Sequence, residues 1–175
     1  MAEVHSTIAR FGSNLAITMT AESSLSREVL WDALINPAQL AMWLGHVDRP
    51  LLDGADYELI YLNGSDHTIT GKVLTSAEPG LLEYTWSFNG GPESIVRFTL
   101  VPRADGGTNF HFMHENVRID SAPSDAATWH AQFEFLGRWL NDHIALGANL
   151  RQRRNELLPQ YEAEVDAALQ AANAA

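Results

Sequence analysis

Trp129, Phe133, Leu136 and Leu140 recur at offsets of four, seven and eleven within Thr128–Leu140, TWHAQFEFLGRWL. Apolar residues at that spacing share one face of an amphipathic α-helix, and such a face needs an apolar surface opposite it. Nearly everything before this segment reads as β-strand, so a sheet is the surface on offer. A long helix laid onto a curved antiparallel sheet encloses space. The chain therefore reads as a container, and the question passes to what lines it.

The strands follow from a two-residue period. Asn14–Thr20 puts Leu15, Ile17 and Met19 on one side. Ser26 is placed to cap a helix over Arg27–Ile35. Asn36-Pro37 ends that helix and starts a second, because Asn caps well and Pro suits the first helical position; this one spans Pro37–Leu44, with Gly45 closing it. From Asp56 the alternation is continuous. Asp56–Leu62 leads into Asn63-Gly64-Ser65-Asp66, a hairpin signal. His67–Ser76 follows, with Gly71 marking a bulge or bend. Leu81–Phe88, Ser94–Val101 and Thr108–Val117 complete the run, separated by Glu78-Pro79-Gly80, Asn89-Gly90-Gly91-Pro92 and Asp105-Gly106-Gly107. The long helix is expected to start at Ser124 or Asp125 and to continue past Asn149. Leu158, Tyr161, Val165 and Leu169 prolong its stripe, and Pro159 implies a kink or a fresh start. Strands grouped together with helices segregated specify an α+β fold with an antiparallel sheet.

At 175 residues the chain is long enough for one domain with a sizeable core. The net charge of −11 argues against nucleic acid, whose phosphates would be repelled. Arg151, Arg153 and Arg154 form the one basic cluster and read as a solvated helix face carrying salt bridges. No apolar run is long enough to span a bilayer. Met1-Ala2-Glu3-Val4-His5 lacks the basic and apolar regions of a secretion signal, which makes a cytoplasmic location the expectation. The absence of Cys removes disulfides, thiolate zinc sites and Cys nucleophiles.

Candidate chemistry is sparse. His111 and His114 lie three apart on a strand and point to opposite faces, so they cannot share a metal. His130 and Glu134 can meet one helical turn apart, but two ligands make no site. No metal or cofactor is expected. Gly-x-Ser-x-Gly is absent, Ser65-Asp66-His67 reads as a turn rather than a triad, and Gly90-Gly91 and Gly106-Gly107 are turn glycines without a P-loop pattern. His114 is the best polar candidate. Inward among aromatics, it reads either as a structural histidine or as a ligand-orienting group and general base.

An ordered set of residues gives a family resemblance. Trp31 stands in the first helix, followed by Leu34, Asn36-Pro37, Leu40 and Trp43. Gly54 and Tyr57 open the next strand, and Gly71-Lys72-Val73 the one after. Glu78-Pro79, Leu82, Tyr84-Thr85-Trp86, Gly107-Thr108, His114 and Trp129-His130 complete the set. Over roughly Ile8 to Asn149 the chain resembles the SRPBCC (START-like) superfamily, in the bacterial branch similar to the activator of heat-shock-protein ATPase. It departs from the pattern at Ala55, which follows Gly54 where the family has a Gly pair, and at Thr128, where a Gly commonly precedes the helix Trp. The resemblance implies a helix-grip fold with a cavity between sheet and long helix; residues 1–149 form that domain, and residues 150–175, outside the family pattern, read as a C-terminal helical extension. It implies no single function, because the scaffold hosts lipid carriers, polyketide cyclase-like enzymes, hydrolases and co-chaperones.

Strand alternation and the helix stripe together place Trp43, Tyr84, Trp86, Phe98, Phe110, Phe112, His114, Trp129 and Phe133 around an inner space. These are the expected lining of a pocket for a small apolar or aromatic molecule, with His114 or Tyr84 orienting it. On that reading His114→Ala and Phe112→Ala weaken binding and leave stability intact. A cyclase or hydrolase using the same pocket is one alternative, so catalysis stays open; a chaperone-activator-like interaction module is the other. The apolar tail residues Leu157, Leu158, Tyr161, Val165 and Leu169 suggest self-association into a homodimer, or folding back onto the chain's own sheet.

Overall fold

The computed structural model describes residues 3–61, 67–142 and 149–174. Its elements run β1 (His5–Phe11), β2 (Asn14–Ser23), α1 (Arg27–Ile35), α2 (Pro37–Trp43), β3 (Gly45–His46), β4 (Asp56–Tyr61), β5 (Thr68–Ala77), β6 (Leu81–Phe88), β7 (Glu93–Pro102), β8 (Thr108–Val117), α3 (Ala122–Asp142) and α4 (Leu150–Ala174). The strands form one antiparallel sheet in the order β1-β2-β8-β7-β6-β5-β4-β3. The helix stripe lies over the middle of it: Trp129, Phe133 and Leu136 are buried, and Leu140 is partly so. This is the α+β helix-grip architecture. The hairpin expected at Asn63-Gly64-Ser65-Asp66 lies outside the described residues. Among those described, no helix is long and apolar enough to cross a membrane.

Local chemistry accounts for several element ends. Asn36 accepts from the Ala38 N–H through its side chain at 3.0 Å with Pro37 beside it, which fixes the start of α2. Ser26 holds the cap position of α1 in extended conformation but makes no side-chain cap bond. Two glycines act differently from expectation. Gly45 does not close α2; it begins β3, where a Cβ would sit 2.5 Å from the Leu59 side chain. Gly71 is not the bulge, since the β5–β6 register shifts between Val73 and Thr75 instead. Gly71 is needed because the Thr85 carbonyl oxygen passes 2.0 Å from where its Cβ would be.

The long helix is divided. It starts earlier than Ser124, at Ala122, and the helix that ends at Asp142 is distinct from the one beginning at Leu150. The second lies back along the first. Tyr161 meets the His130 ring at 2.8 Å, and Arg153 donates two bonds of 2.7 Å to Glu134. Farther on, the Ser6 hydroxyl of β1 donates to Glu164 at 2.9 Å. Leu157, Tyr161 and Val165 are consequently buried against α3 and β1, while Leu158 and Leu169 pack partly onto the same core. The apolar face that suggested self-association is covered within one chain. Pro159 is accommodated inside α4.

Glu134 carries a pH signature. Burial is the largest single influence and works against its carboxylate, but the hydrogen bonds and charges of Arg153 and His130 together overcome it and hold the pKa at about 2 against an ordinary 4.5. A depressed carboxylate stabilises the fold above its unfolded value and loses that contribution as pH falls through the folded one. Glu134→Gln is expected to cost about 1 kcal/mol at pH 7, allowing for the partial exposure of both partners. Thermal melts at pH 7 and pH 3 check this: the gap between variant and parent should narrow at the lower pH.

Candidate functional site

The inner space between the sheet and α3 is largely filled. Phe112 stands 4.6 Å from Trp129 and 4.9 Å from Phe133, ring centre to ring centre. Phe98 lies 5.2 Å from Phe112, and Phe110 5.1 Å from Phe133. Tyr84 and Trp43 extend the cluster at 6.1 Å from Phe98 and 6.2 Å from Phe133. Rings at these separations are in van der Waals contact and exclude a ligand. Trp43, Tyr84, Phe98, Phe110, Phe112 and Phe133 therefore form core and do not line the cavity described next. Burial also pushes the Tyr84 hydroxyl pKa well up, so it stays protonated.

Open space begins where this cluster stops. A cavity of about 580 Å³ lies beyond Trp86 and Trp129, whose rings are 5.0 Å apart. Three of the expected lining residues, Trp86, His114 and Trp129, border it. Phe88 from the end of β6, Tyr61 from the end of β4 and Pro92 add apolar wall. Asp125 and Thr128 come from the first turns of α3, Asn116 and Arg118 from the end of β8 and just beyond, and Leu150, Arg151 and Arg154 from the first turns of α4. Phe88 and Arg151 are exposed and stand where the cavity meets solvent.

His114 borders the cavity with neither ring nitrogen available. The Trp129 indole N–H donates to Nδ1 at 3.1 Å, and Nε2 meets the Ser94 hydroxyl at 2.8 Å. An indole N–H can only donate, so Nδ1 accepts and the proton resides on Nε2. The chain continues from Ser94, which donates to the Trp86 carbonyl at 3.0 Å. Burial lowers the His114 pKa to about 3. His114 is thus a neutral structural link between sheet and helix, the first of its two readings from sequence, and with both nitrogens engaged it is not poised as a general base near neutral pH.

The titratable carboxyl in the cavity is Asp125. Burial raises its pKa to about 6, opposed by a 2.8 Å bond from the Ser121 hydroxyl and by the charge of Arg154. Across the cavity Tyr61 is held protonated by burial. Gln132 lies beside Tyr61, fully buried, and neither atom of its amide has a hydrogen-bond partner of good geometry among the described residues. No group of three His, Asp or Glu side chains converges among the described residues.

Asp125, Tyr61, Arg118, Arg151 and Arg154 were not singled out as site residues by sequence. One signal was present: Arg151 and Arg154 are three apart in a helical segment, which puts them on one face.

A sheet gripping a long helix, with a cavity at one end of their interface, defines a helix-grip domain. Residues 24–141 match the family of Activator of Hsp90 ATPase homolog 1-like proteins, and the chain belongs to that family. Among solved structures it is similar to CalU16 from Micromonospora echinospora, at a TM-score of 0.79 and 18% identity over 95% of this chain and 97% of that one. DynU16, of the dynemicin biosynthetic locus, gives 0.68 and 22% over 74% of this chain and 48% of that one. MLL2253 from Mesorhizobium loti gives 0.65 and 25% over 75% and 99%. These likenesses establish the fold. No curated protein matches the chain.

Proposed function

We propose that the protein binds a small molecule with an aromatic or other apolar body in the cavity at the end of the sheet. The observation that carries this reading is the cavity itself: about 580 Å³, within the range of small-molecule sites, walled by Trp86, Trp129, Phe88 and Tyr61 with polar groups on the side of α3 and α4. Apolar ligand surface buried on these rings contributes roughly 25 cal/mol per Å². Leu150, Arg151 and Arg154 make the C-terminal extension part of the binding unit. Should the site also catalyse, the proton-transferring group is Asp125, because His114 has both nitrogens engaged and a pKa near 3.

The test fills the cavity without touching the core. Thr128 lines it from α3 and is only partly buried, and its hydroxyl bonds back to the Ser124 carbonyl at 2.8 Å within the helix. Thr128→Phe is expected to weaken quenching of tryptophan fluorescence by two-ring aromatic probes at least about tenfold, equivalent to about 1.4 kcal/mol of binding, with the melting temperature close to the parent's. Unchanged binding by this variant would place the probes elsewhere and refute the reading.

A further inference from the structure

Resting on that cavity as the binding site, we infer that its ligand is an anion, an aromatic carboxylic acid whose carboxylate is held by Arg151 and Arg154. The apolar wall alone would suit a neutral ring system. The charges around it do not. Among the described residues the cavity is bordered by Arg118, Arg151 and Arg154 against one carboxyl, Asp125, in a chain whose net charge is −11. Arg118 is neutralised by Asp120, to which its Nε donates at 2.9 Å. Arg151 and Arg154 are not neutralised in this way. Arg154 donates to the Ser124 hydroxyl at 2.6 Å and to the Asn155 side-chain oxygen at 2.8 Å, both neutral partners, which fix the guanidinium beside the cavity; Asp125 acts on its charge through space without forming an ion pair with it among the described residues. Arg151 forms no ion pair among the described residues. Arg153, between them in sequence but on another side of the helix, shows the contrast: it is committed to Glu134 and Glu156.

Among the described residues the arrangement leaves one more positive than negative charge at the cavity once Arg118 is set against Asp120 and one arginine against Asp125. That is the reverse of the chain as a whole. A carboxylate attached to a ring seated on Trp86 and Trp129 would accept charge-assisted bonds from planar guanidinium groups, the geometry arginine is built to offer. Asp125 is the one carboxylate among the described lining residues, with Tyr61, His67 and His114 the other titratable side chains bordering the cavity; its protonation below about pH 6 removes that opposing charge, so binding of such an anion should strengthen on mild acidification while the ligand itself stays ionised.

The experiment compares naphthalene-2-carboxylate with naphthalene-2-carboxamide, which share shape and differ in charge. Binding is followed by tryptophan quenching and by ligand-observed NMR at low ionic strength. The parent protein is expected to bind the carboxylate at least about tenfold more tightly than the amide, since bonds to charged groups are worth enough for that discrimination. Arg151→Gln with Arg154→Gln should bring the affinity for the carboxylate down to that for the amide and leave the near-UV circular dichroism unchanged. Equal binding of both probes by the parent, or a preference that survives the double substitution, overturns the anion inference while leaving the cavity reading in place. If Thr128→Phe binds both probes as well as the parent does, or if the parent binds neither at millimolar concentration, the cavity reading fails and the anion inference with it.

Discussion

Phe112→Ala is expected to cost about 3–5 kcal/mol of folding stability, the range for removing a buried phenyl ring from a packed core. Phe112 is fully buried on β8, and its ring touches those of Phe98, Trp129 and Phe133 at 5.2, 4.6 and 4.9 Å. Its loss leaves a void bounded by three bulky side chains from a strand and a helix, none of which can collapse inward without moving its own element. Against a total of about 5–15 kcal/mol for an ordinary domain this is severe. Urea unfolding, with the slope checked for two-state behaviour, measures it. A cost under about 1 kcal/mol would mean the space around Phe112 is loosely filled, and would return it to the list of pocket residues.

The sequence placed Phe112 on the inward face, and the structure agrees. What sequence could not show was whether the inward face is empty or filled. Alternation along Leu81–Phe88 and Thr108–Val117 was sharp enough to give both strands to the residue, as did the turn signals flanking Arg27–Ile35. A period reports which side a residue faces and nothing about the distance to the opposite surface. That distance depends on how closely α3 approaches the sheet, which is settled by the sum of ring volumes on both sides. The cavity is left where those volumes run out, beyond Trp86 and Trp129, and half of its boundary comes from turn and helix-start residues without any period of their own.

The same limit explains the other differences. β1 contributes one buried side chain, Ile8, from an edge strand, so its pattern is too weak to read. The stripe of Leu157, Tyr161 and Val165 was legible as apolar and illegible as to partner, because any apolar surface satisfies it; here α3 and β1 do. Arg151 and Arg154 were read as a solvated face together with Arg153. Arg151 is solvated as that reading has it, but of the three only Arg153 carries salt bridges among the described residues, one of them to Glu134 across two helices.

His114→Phe separates a structural from a catalytic histidine. At pH 7 the substitution keeps a planar ring but leaves the Trp129 indole N–H, buried and otherwise bonded only to Nδ1, without an acceptor. An orphaned buried donor costs about 1–3 kcal/mol. The pH dependence is more telling. Burial holds the folded-state pKa near 3, below the ordinary 6.5. Between those values the unfolded chain takes up a proton that the folded chain refuses, so this residue's contribution to stability is intact above about pH 6.5 and declines as pH falls, by on the order of 1 kcal/mol per pH unit, until the folded pKa is reached. The variant has no such group. Urea unfolding at pH 7.5, 6.0 and 4.5 should therefore show His114→Phe less stable than the parent at the highest pH, with the difference shrinking or reversing at the lowest. The other histidines are common to both proteins and cancel. A difference independent of pH would mean that folded His114 takes up its proton as readily as the unfolded chain does. The ring would then be open to the cavity, and it would regain its place as the site's general base.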